Sequence, residues 1–310
     1  MLVGWFIIAR SVQIAASILL AGIFEFEVVM LGPARRARSD DLNELERQFL
    51  QLAVWSLVAV FFSALIWFSL ELKSISGLSF AKAFSGPAWR TLLFETEFGL
   101  LWQIRLGLTA VTFAFAALTL MKEQLRRPFI PLLFALSVVL LVSLAWTSHA
   151  AAARAQPLGL VGDALHLCAA GVWIGGFAPL AIFLTRARAS FTLRDCAVPV
   201  LKRFSTLSLD CVSVLAVSGF ANSWLLVGSI HALFTTRYGV LLLIKIILFG
   251  ILVGFGARNR FVIKTKMHNS PANLRLLARL RGNVIYETCL GIAIVIIVAG
   301  LGIMPPARHP

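Results

Sequence analysis

Eight separate segments of this chain are apolar for about 20 residues or more, and each is long enough to cross a lipid bilayer as an α-helix. Within a bilayer the backbone must satisfy its own hydrogen bonds, so helices are the structure that such segments adopt. Hydrophobic residues make up 59% of the 310 positions and charged residues 14%, which leaves little chain for a soluble domain. We therefore predict an all-α, polytopic membrane bundle that forms one domain over residues 1–310. The predicted spans are 4–31, 49–71, 97–121, 129–147, 158–184, 203–228, 238–262 and 283–304.

The chain has a net charge of +14. Because basic residues collect in the cytoplasmic loops of membrane proteins, their distribution among the loops predicts the orientation of the chain in the membrane. Four alternate loops, with the residues that flank the last of them, hold 19 of the 28 basic residues, while the opposite loops and termini hold six. This asymmetry predicts that the basic loops face the cytoplasm and that both termini are extracytoplasmic. It also gives no reason to expect nucleic acid as a partner. The basic loops are 32–48, 122–128, 185–203 and 263–282.

Two stretches outside the spans carry signals for the start of a helix. Ser39 is a good N-cap residue, and the acids that follow it suit the positive end of a helix, so we predict an amphipathic turn that leads into the second span. In the long loop 72–99, Pro87 follows Ser85 and Gly86 and suits the first turn of a short interfacial helix.

Nine ionisable side chains fall within the predicted spans, where each costs about 2.5–3.5 kcal/mol on insertion scales and therefore needs a partner, a water-filled cavity or a function. One interpretation is that they form internal salt bridges that fix the helix register. The other is that some of them serve transport. The nine are Arg10, Glu25, Glu27, Arg105, Asp163, His166, Asp210, Lys245 and Glu287.

The fifth span contains three potential metal ligands in "LVGDALHLCAAGVWIGG", residues 160–176. Asp163 and His166 are one helical turn apart on one face, so the carboxylate can accept the second ring N–H and leave the other nitrogen free for a metal. Cys168 lies about 160° around the helix from Asp163 and faces another neighbour. The face that begins with the Asp–His pair continues through Ala170, Trp173 and Phe177.

A second histidine, His149, ends the fourth span in "AWTSHAAAARAQP" and is separated from the fifth span by a short loop. His149 and His166 are thus predicted at the same end of the bundle, where they either share one ion or act as successive stations. Imidazole with thiolate suits copper or zinc better than magnesium or calcium. We therefore predict a metal site, with no catalytic residues, that draws on His149, His166, Asp163 and Cys168.

Several phrases together resemble the bacterial copper resistance protein D family (CopD and its relatives). They are "SHAAA", "GDALHLCAAGVWIGGFAPL", "RFSTLSLDCVSVLAVSGFANSW" and "YETCLGIAIVIIVAGLGIMPP", in this order and at this spacing. The resemblance is strongest over residues 97–306. It implies a bundle of about eight helices in the bacterial inner membrane and copper as the ion that is moved, with uptake into the cytoplasm as the implied direction. It also implies a periplasmic copper-binding partner of the copper resistance C type.

Carried onto this sequence, the resemblance implies that His149 and His166 contact copper and that Trp173, Gly175 and Gly176 shape the site by packing. A copper permease is therefore the first hypothesis. A second is a non-transporting membrane subunit that docks the periplasmic partner. A third is a haem-type electron carrier, which needs pairs of intramembrane histidines, whereas His166 is the one histidine clearly inside a span. No catalytic set for an enzyme can be assembled from these spans.

Overall fold

The computed structural model describes residues 2–35, 39–147, 156–265 and 273–307, and within these ranges the chain is helical and contains no strand. The all-α prediction is thereby confirmed. A π-helical turn, Phe26–Met30, continues the first helix, and 3₁₀ turns occur at Glu123–Leu125 and Ser143–Thr147. The α-helices are α1 (Leu2–Glu25), α2 (Gly32–Arg35), α3 (Asp40–Ser76), α4 (Phe80–Ser85), α5 (Ala88–Phe94), α6 (Glu97–Met121), α7 (Arg126–Val142), α8 (Gln156–Trp173), α9 (Phe177–Ala189), α10 (Phe191–Asp195), α11 (Ala197–Val227), α12 (Ile230–Thr235), α13 (Arg237–Thr265) and α14 (Leu274–Leu301).

Eight helical segments of the described chain are long and apolar enough to cross a bilayer, as predicted. The second and the eighth begin nine residues before the predicted spans, because polar side chains cap these helices beyond the apolar stretch. The Ser39 side chain accepts a hydrogen bond from the Leu42 amide at 3.3 Å, which confirms the predicted helix start. Asn273 caps α14 in the same way. The spans are Leu2–Met30, Asp40–Ser76, Glu97–Met121, Glu123–Thr147, Gly159–Ala189, Ala197–Val227, Arg237–Val262 and Leu274–Leu301.

The loop between the second and third spans contains the short helices α4 and α5. Pro87 is the N-cap residue of α5, so the predicted helix start at this proline is confirmed. Ala83 and Leu92 are buried and attach the two helices to the bundle. Phe84 and Phe94 on the same helices are exposed.

The first span is the centre of the bundle, and it packs against α3, α7, α8 and α14. Its closest approach is to the fifth span, where a Cβ atom on Gly22 would overlap the backbone of Gly175 and one on Gly175 would overlap the Ile18 carbonyl. The predicted role of Gly175 in close packing is therefore confirmed. Gly171 and Gly175 are four residues apart, and so are Gly250 and Gly254 on α13. A Cβ atom on Gly250 or Gly254 would meet none of the described residues within 4 Å, so these two glycines do not lie at a helix crossing.

The fifth span is interrupted in the middle of the bundle. α8 ends at Trp173, a turn follows, and α9 begins at Phe177. The predicted span over 158–184 is confirmed as Gly159–Ala189, and the helix within it is broken at this point. The physical reason is the glycine pair: Gly175 is pressed against the first span, and a Cβ on Gly176 would lie 2.7 Å from the Phe204 ring.

The first helix begins and the last helix ends at the same end of the bundle, because Gly302 at the end of α14 is in contact with Arg10 of α1. We call this the terminal end, and the opposite end, which carries the basic loops, the basic end. That the terminal end faces outward stays a prediction from loop charge. α11 and α13 are neighbours that the rest of the chain covers least, and we call them the outer pair.

The ionisable residues of the spans are accommodated in several ways. Glu27 pairs with Arg35 at 3.4 Å, as the salt-bridge interpretation predicts. Arg105 is buried and instead donates to the Leu140 carbonyl at 3.0 Å and to a serine hydroxyl. Arg10 places its guanidinium carbon 4.4 Å from the centre of the Trp67 ring. Salt bridging therefore explains only part of the set, and five of its members line cavities instead: Arg10, Asp163, His166, Lys245 and Glu287.

Candidate metal site

Two adjoining cavities occupy the half of the bundle nearest the terminal end. The first has a volume of about 170 Å³ and is lined by the spans of the bundle's centre together with the outer pair. The second, of about 520 Å³, is apolar and lies between α8, α14 and the outer pair. His166 and Lys245 line both cavities. Ser223 also lines both, and these three residues are the polar groups that the two cavities share.

The orientation of His166 follows from its partner on α11. Its Nδ1 atom lies 2.9 Å from the Ser218 hydroxyl oxygen, and that hydroxyl donates its own hydrogen to the Val214 carbonyl at 2.6 Å. Because the serine proton is used, the serine oxygen accepts and His166 Nδ1 carries the hydrogen. The lone pair of Nε2 is then available to a ligand in the cavity.

This arrangement corrects the predicted role of Asp163. The ring N–H of His166 goes to Ser218 rather than to Asp163. The Asp163 carboxylate instead accepts a hydrogen bond from Asn222 Nδ2 at 2.6 Å. Both predicted residues nevertheless line the first cavity, so α8 brings them to one site as its helical face requires.

Ser218 and Asn222 are functional candidates that sequence reasoning missed. They are four residues apart on α11, and each holds one of the two polar groups that α8 presents. Their spacing places them on one helix face, which is the signal by which they could have been found. Gly219 lies between them, and a Cβ there would lie 3.5 Å from the His166 ring.

Positive charge surrounds the same site. Lys245 is within electrostatic range of both Asp163 and His166, and Arg10 also lines the first cavity. The Nε atom of Arg10 is buried without a hydrogen-bond partner among the described residues. Among the described residues that line the cavity, one carboxylate faces two cations, so an entering metal ion meets a carboxylate that is already attracted to Lys245.

The other predicted ligands do not join His166 in the described structure. Cys168 is half-buried and lines neither cavity. His149 lies outside the described residues. Over the described parts of the chain, no cluster of three or more His, Cys, Asp or Glu side chains could hold a metal ion. The donors that do meet at the cavity are His166 and Asp163.

An aromatic cluster closes the cavities toward the basic end. Trp173 is edge-on to Phe177 and to Phe249, with ring centres 5.7 and 6.1 Å apart. Phe177 in turn lies 6.2 Å from Phe204. Trp173 and Phe177 are almost fully buried. We call these four residues the aromatic barrier, and it separates the site from the basic end of the bundle.

Comparison with known proteins gives two family matches that together cover most of the chain. Residues 1–160 match the family described as copper resistance protein D-like, N-terminal domain, and residues 198–301 match copper resistance protein D. The two matched regions include the first span and the outer pair, between which His166 is held.

Three relatives show the extent of the similarity. Copper resistance protein D from Pseudomonas syringae pv. tomato is 33% identical over 262 residues, which cover 77% of this chain and 80% of the relative. Inner membrane protein YebZ from Escherichia coli (strain K12) is 30% identical and covers 72% and 74%. Copper transport protein CutJ from Bacillus subtilis (strain 168) is 29% identical over 89% of this chain, which spans only 49% of that protein's length. No solved structure matches the chain.

Proposed function

The chain belongs to the copper resistance protein D family and is a multi-pass protein of the inner membrane, and from this premise we propose that it carries copper ions across that membrane. The observation that supports the proposal most is the state of His166. Its Nδ1–H is held by Ser218, its Nε2 forms no hydrogen bond to any of the described residues, and the residue lines a cavity inside the bundle. A neutral imidazole with one free nitrogen is a common copper ligand.

The ion enters from the terminal end, which loop charge predicts to be periplasmic. Asp163 lies one turn nearer to that end than His166 and attracts the cation, while Nε2 of His166 binds it. His149, predicted at the mouth, is the first contact in this proposal, and Cys168 remains a predicted ligand that a rotation of α8 would have to bring in. The copper ion is the cargo, and no other cofactor is required.

Transport is inward in this proposal, and it requires the aromatic barrier to open. The outer pair supplies Phe204 and Phe249, whereas α8 and α9 supply Trp173 and Phe177. Movement of the outer pair relative to the fifth span therefore separates the rings and exposes the site to the basic end. Broken helices and membrane-buried sites are typical of carriers that work by such alternating access.

Copper accumulation in cells tests the proposal. We expect the His166→Ala variant to lose most of the copper accumulation that expression of the wild-type chain produces, about tenfold or more, because a ligand is removed. His231→Ala is the matched control, since His231 is exposed on α12 and lines neither cavity. Cellular copper is measured at equal amounts of membrane-inserted protein. Equal accumulation in the His166→Ala variant and the wild type would contradict the proposed site.

A second candidate function, docking of a periplasmic copper-binding protein of the copper resistance C type, has one supporting observation. The helices α4 and α5 expose Phe84 and Phe94 at the terminal end, 45% and 65% accessible, and exposed aromatic groups are frequent in protein interfaces. The same experiment separates the two functions. Loss of partner binding on substitution of these rings, with copper accumulation independent of His166, would favour docking alone.

A further inference from the structure

A third cavity of about 140 Å³ lies on the other side of the aromatic barrier, toward the basic end. It is enclosed by α9, α14 and the outer pair, and Trp173 and Phe177 form its boundary with the site of His166. The cavity contains Glu287, a carboxyl group within the eighth span whose residue is 3% exposed. A charge in this position is expensive in a bilayer, so the residue requires an explanation.

Glu287 is held by a chain of side-chain amides. Asn283 Nδ2 donates to Asn259 Oδ1 at 2.6 Å, and Asn259 Nδ2 donates to Glu287 Oε1 at 3.1 Å. The first bond fixes the orientation of the Asn259 amide, because its oxygen must face Asn283. Its amino group then necessarily faces Glu287. A neutral amide is a suitable partner for both the ionised and the protonated carboxyl group, since Oε1 accepts in either state.

No cation neutralises this carboxyl group within the described chain. Arg260 is the other titratable residue that lines the cavity, and it donates to Ser205 at 2.9 Å instead. The helices packed against α14 also carry charged groups. On α9, Arg186 donates to Gln48 and Glu44. On α13, Lys245 lines the first two cavities and Arg258 is exposed. On α1, Glu25 is buried and forms no side-chain hydrogen bond with the described residues. On α11, Asp210 is exposed.

The donors of this cavity do not suit copper. They are a carboxylate, an amide and the hydroxyls of Ser205 and Ser208, all of which are oxygen or amide groups, whereas a soft cuprous ion prefers imidazole and thiolate. A proton, in contrast, requires only one carboxyl oxygen and a route to water. The cavity lies close to the exposed Arg260 at the basic end, which gives such a route to the cytoplasmic side in the predicted topology.

We propose that Glu287 is a proton-binding site that couples copper uptake to proton movement in the opposite direction, an inference that rests on the proposed transport function. After copper leaves, a proton from cytoplasmic water forms an O–H bond with the Glu287 carboxylate. The empty carrier then returns with a neutral carboxyl group, which lowers the cost of a bare charge in the membrane. When the cavity opens outward, the O–H bond breaks and the proton enters periplasmic water. One cuprous ion moves in for one proton out, with no electron transferred.

Proteoliposomes that contain the purified full chain test the coupling. Cuprous ion is added outside, and copper uptake and luminal pH are measured with an entrapped pH-sensitive dye. Wild-type uptake is expected to make the lumen more alkaline, and a lumen one pH unit more acidic than the outside should raise the final copper ratio about tenfold. Glu287→Asp should keep both effects. Glu287→Gln imitates the protonated group permanently, so the empty carrier should return without carrying a proton: copper uptake should continue, while both the luminal pH change and the response to the gradient are lost.

Asp210→Asn is the matched control, because Asp210 is an acid of the spans that is exposed and lines none of the three cavities. This variant is expected to behave as the wild type does. Copper uptake by the wild type without any response to the pH gradient would overturn the inference while leaving the transport function intact, even where Glu287→Gln does not fold. A luminal pH change in Glu287→Gln equal to that of the wild type would also overturn it. Absence of copper uptake in the wild type would instead remove the transport function itself.

Discussion

The first and fifth spans and the outer pair are similar in length and apolar composition, but the rest of the chain covers them very differently. Over their most apolar windows, 56% and 61% of the residues are buried in the first and fifth spans, against 17% and 11% in the spans of α11 and α13. Lipid is as apolar as leucine, so burial in a bilayer is no measure of hydrophobic stabilisation. The difference instead marks which helices are fixed by close packing and which are free to move.

The contacts in the two regions also differ in kind. The first and fifth spans meet through backbone at Gly22 and Gly175, where no side chain fits between them. The outer pair packs against α8 and α14, and its contacts with the interior include polar groups that face cavities, such as Ser218 to His166 and Asn259 to Glu287. Interhelical hydrogen bonds of this kind contribute about 0.6 kcal/mol on average in membranes. We infer that the first and fifth spans form a rigid centre and that the outer pair forms a movable wall beside it.

The largest effect is expected where the two central spans touch. Gly22→Ala places a Cβ inside the space of the Gly175 backbone, and backbone cannot move aside as a flexible side chain can. The helices must separate, so we expect a loss of at least about 3 kcal/mol and little folded protein. Thermal unfolding of the purified protein in detergent, followed by tryptophan fluorescence, measures the loss.

Gly254→Ala on α13 provides the control, because the added Cβ meets nothing within 4 Å. Its thermal midpoint should equal that of the wild type. Equal sensitivity of the two variants would break the distinction between a fixed centre and a movable wall.

The same pair of glycines shows what sequence could and could not establish about the fold. Eight spans follow from length and hydropathy, because the bilayer imposes both. The motif in which two glycines are four residues apart occurs in both regions, yet only Gly175 is at a helix crossing and Gly254 is not. Sequence spacing identifies a face that permits close approach, but the partner that uses the face lies elsewhere in the chain.

The second-largest effect, a loss of stability together with a copper leak, is expected at Trp173, where the centre and the wall meet. Trp173→Ala removes a side chain that contacts Phe249 of the outer pair and Phe177 of α9. Large-to-small changes of this type cost about 3–5 kcal/mol in a closed core, and the lower end applies because Trp173 already borders a cavity. The barrier is also breached, so copper should leak into proteoliposomes without the luminal pH change that accompanies wild-type uptake.

Trp55→Ala is the comparison for Trp173→Ala, since Trp55 is 69% exposed on the lipid-facing side of α3. Removing it should change neither the thermal midpoint nor the leak. A tight membrane with Trp173→Ala would mean that the aromatic barrier does not separate the two sides.

From the sequence, only those features of the candidate site that lie on a single helix could be predicted. Asp163 and His166 share a face because helical geometry requires it, and both line the cavity. Their hydrogen-bond partners lie 52 and 59 residues further along the chain. Which face of α11 meets α8 depends on helix packing, and in lipid an apolar residue is equally stable on either face. Assigning the His166 ring proton to Asp163 failed for this reason.

The smallest effect, and the most specific, concerns the hydrogen bond by which the wall orients the central histidine. Ser218→Ala removes the acceptor of the His166 Nδ1 hydrogen, so the tautomer that presents Nε2 is no longer fixed. Copper affinity should fall about tenfold, as it does when a group that orients a metal ligand is lost. The thermal midpoint should fall only slightly, because the one interhelical hydrogen bond that is lost contributes about 0.6 kcal/mol and the other bond of Ser218 is to its own helix at Val214. Ser218→Thr, which keeps the hydroxyl, should retain the affinity.

Ser213→Ala serves as the matched control, since Ser213 makes the same bond within α11 but is exposed. A competition titration against a cuprous chelator measures all three variants, and equal affinities for Ser218→Ala and Ser213→Ala would mean that the wall holds the histidine without tuning it.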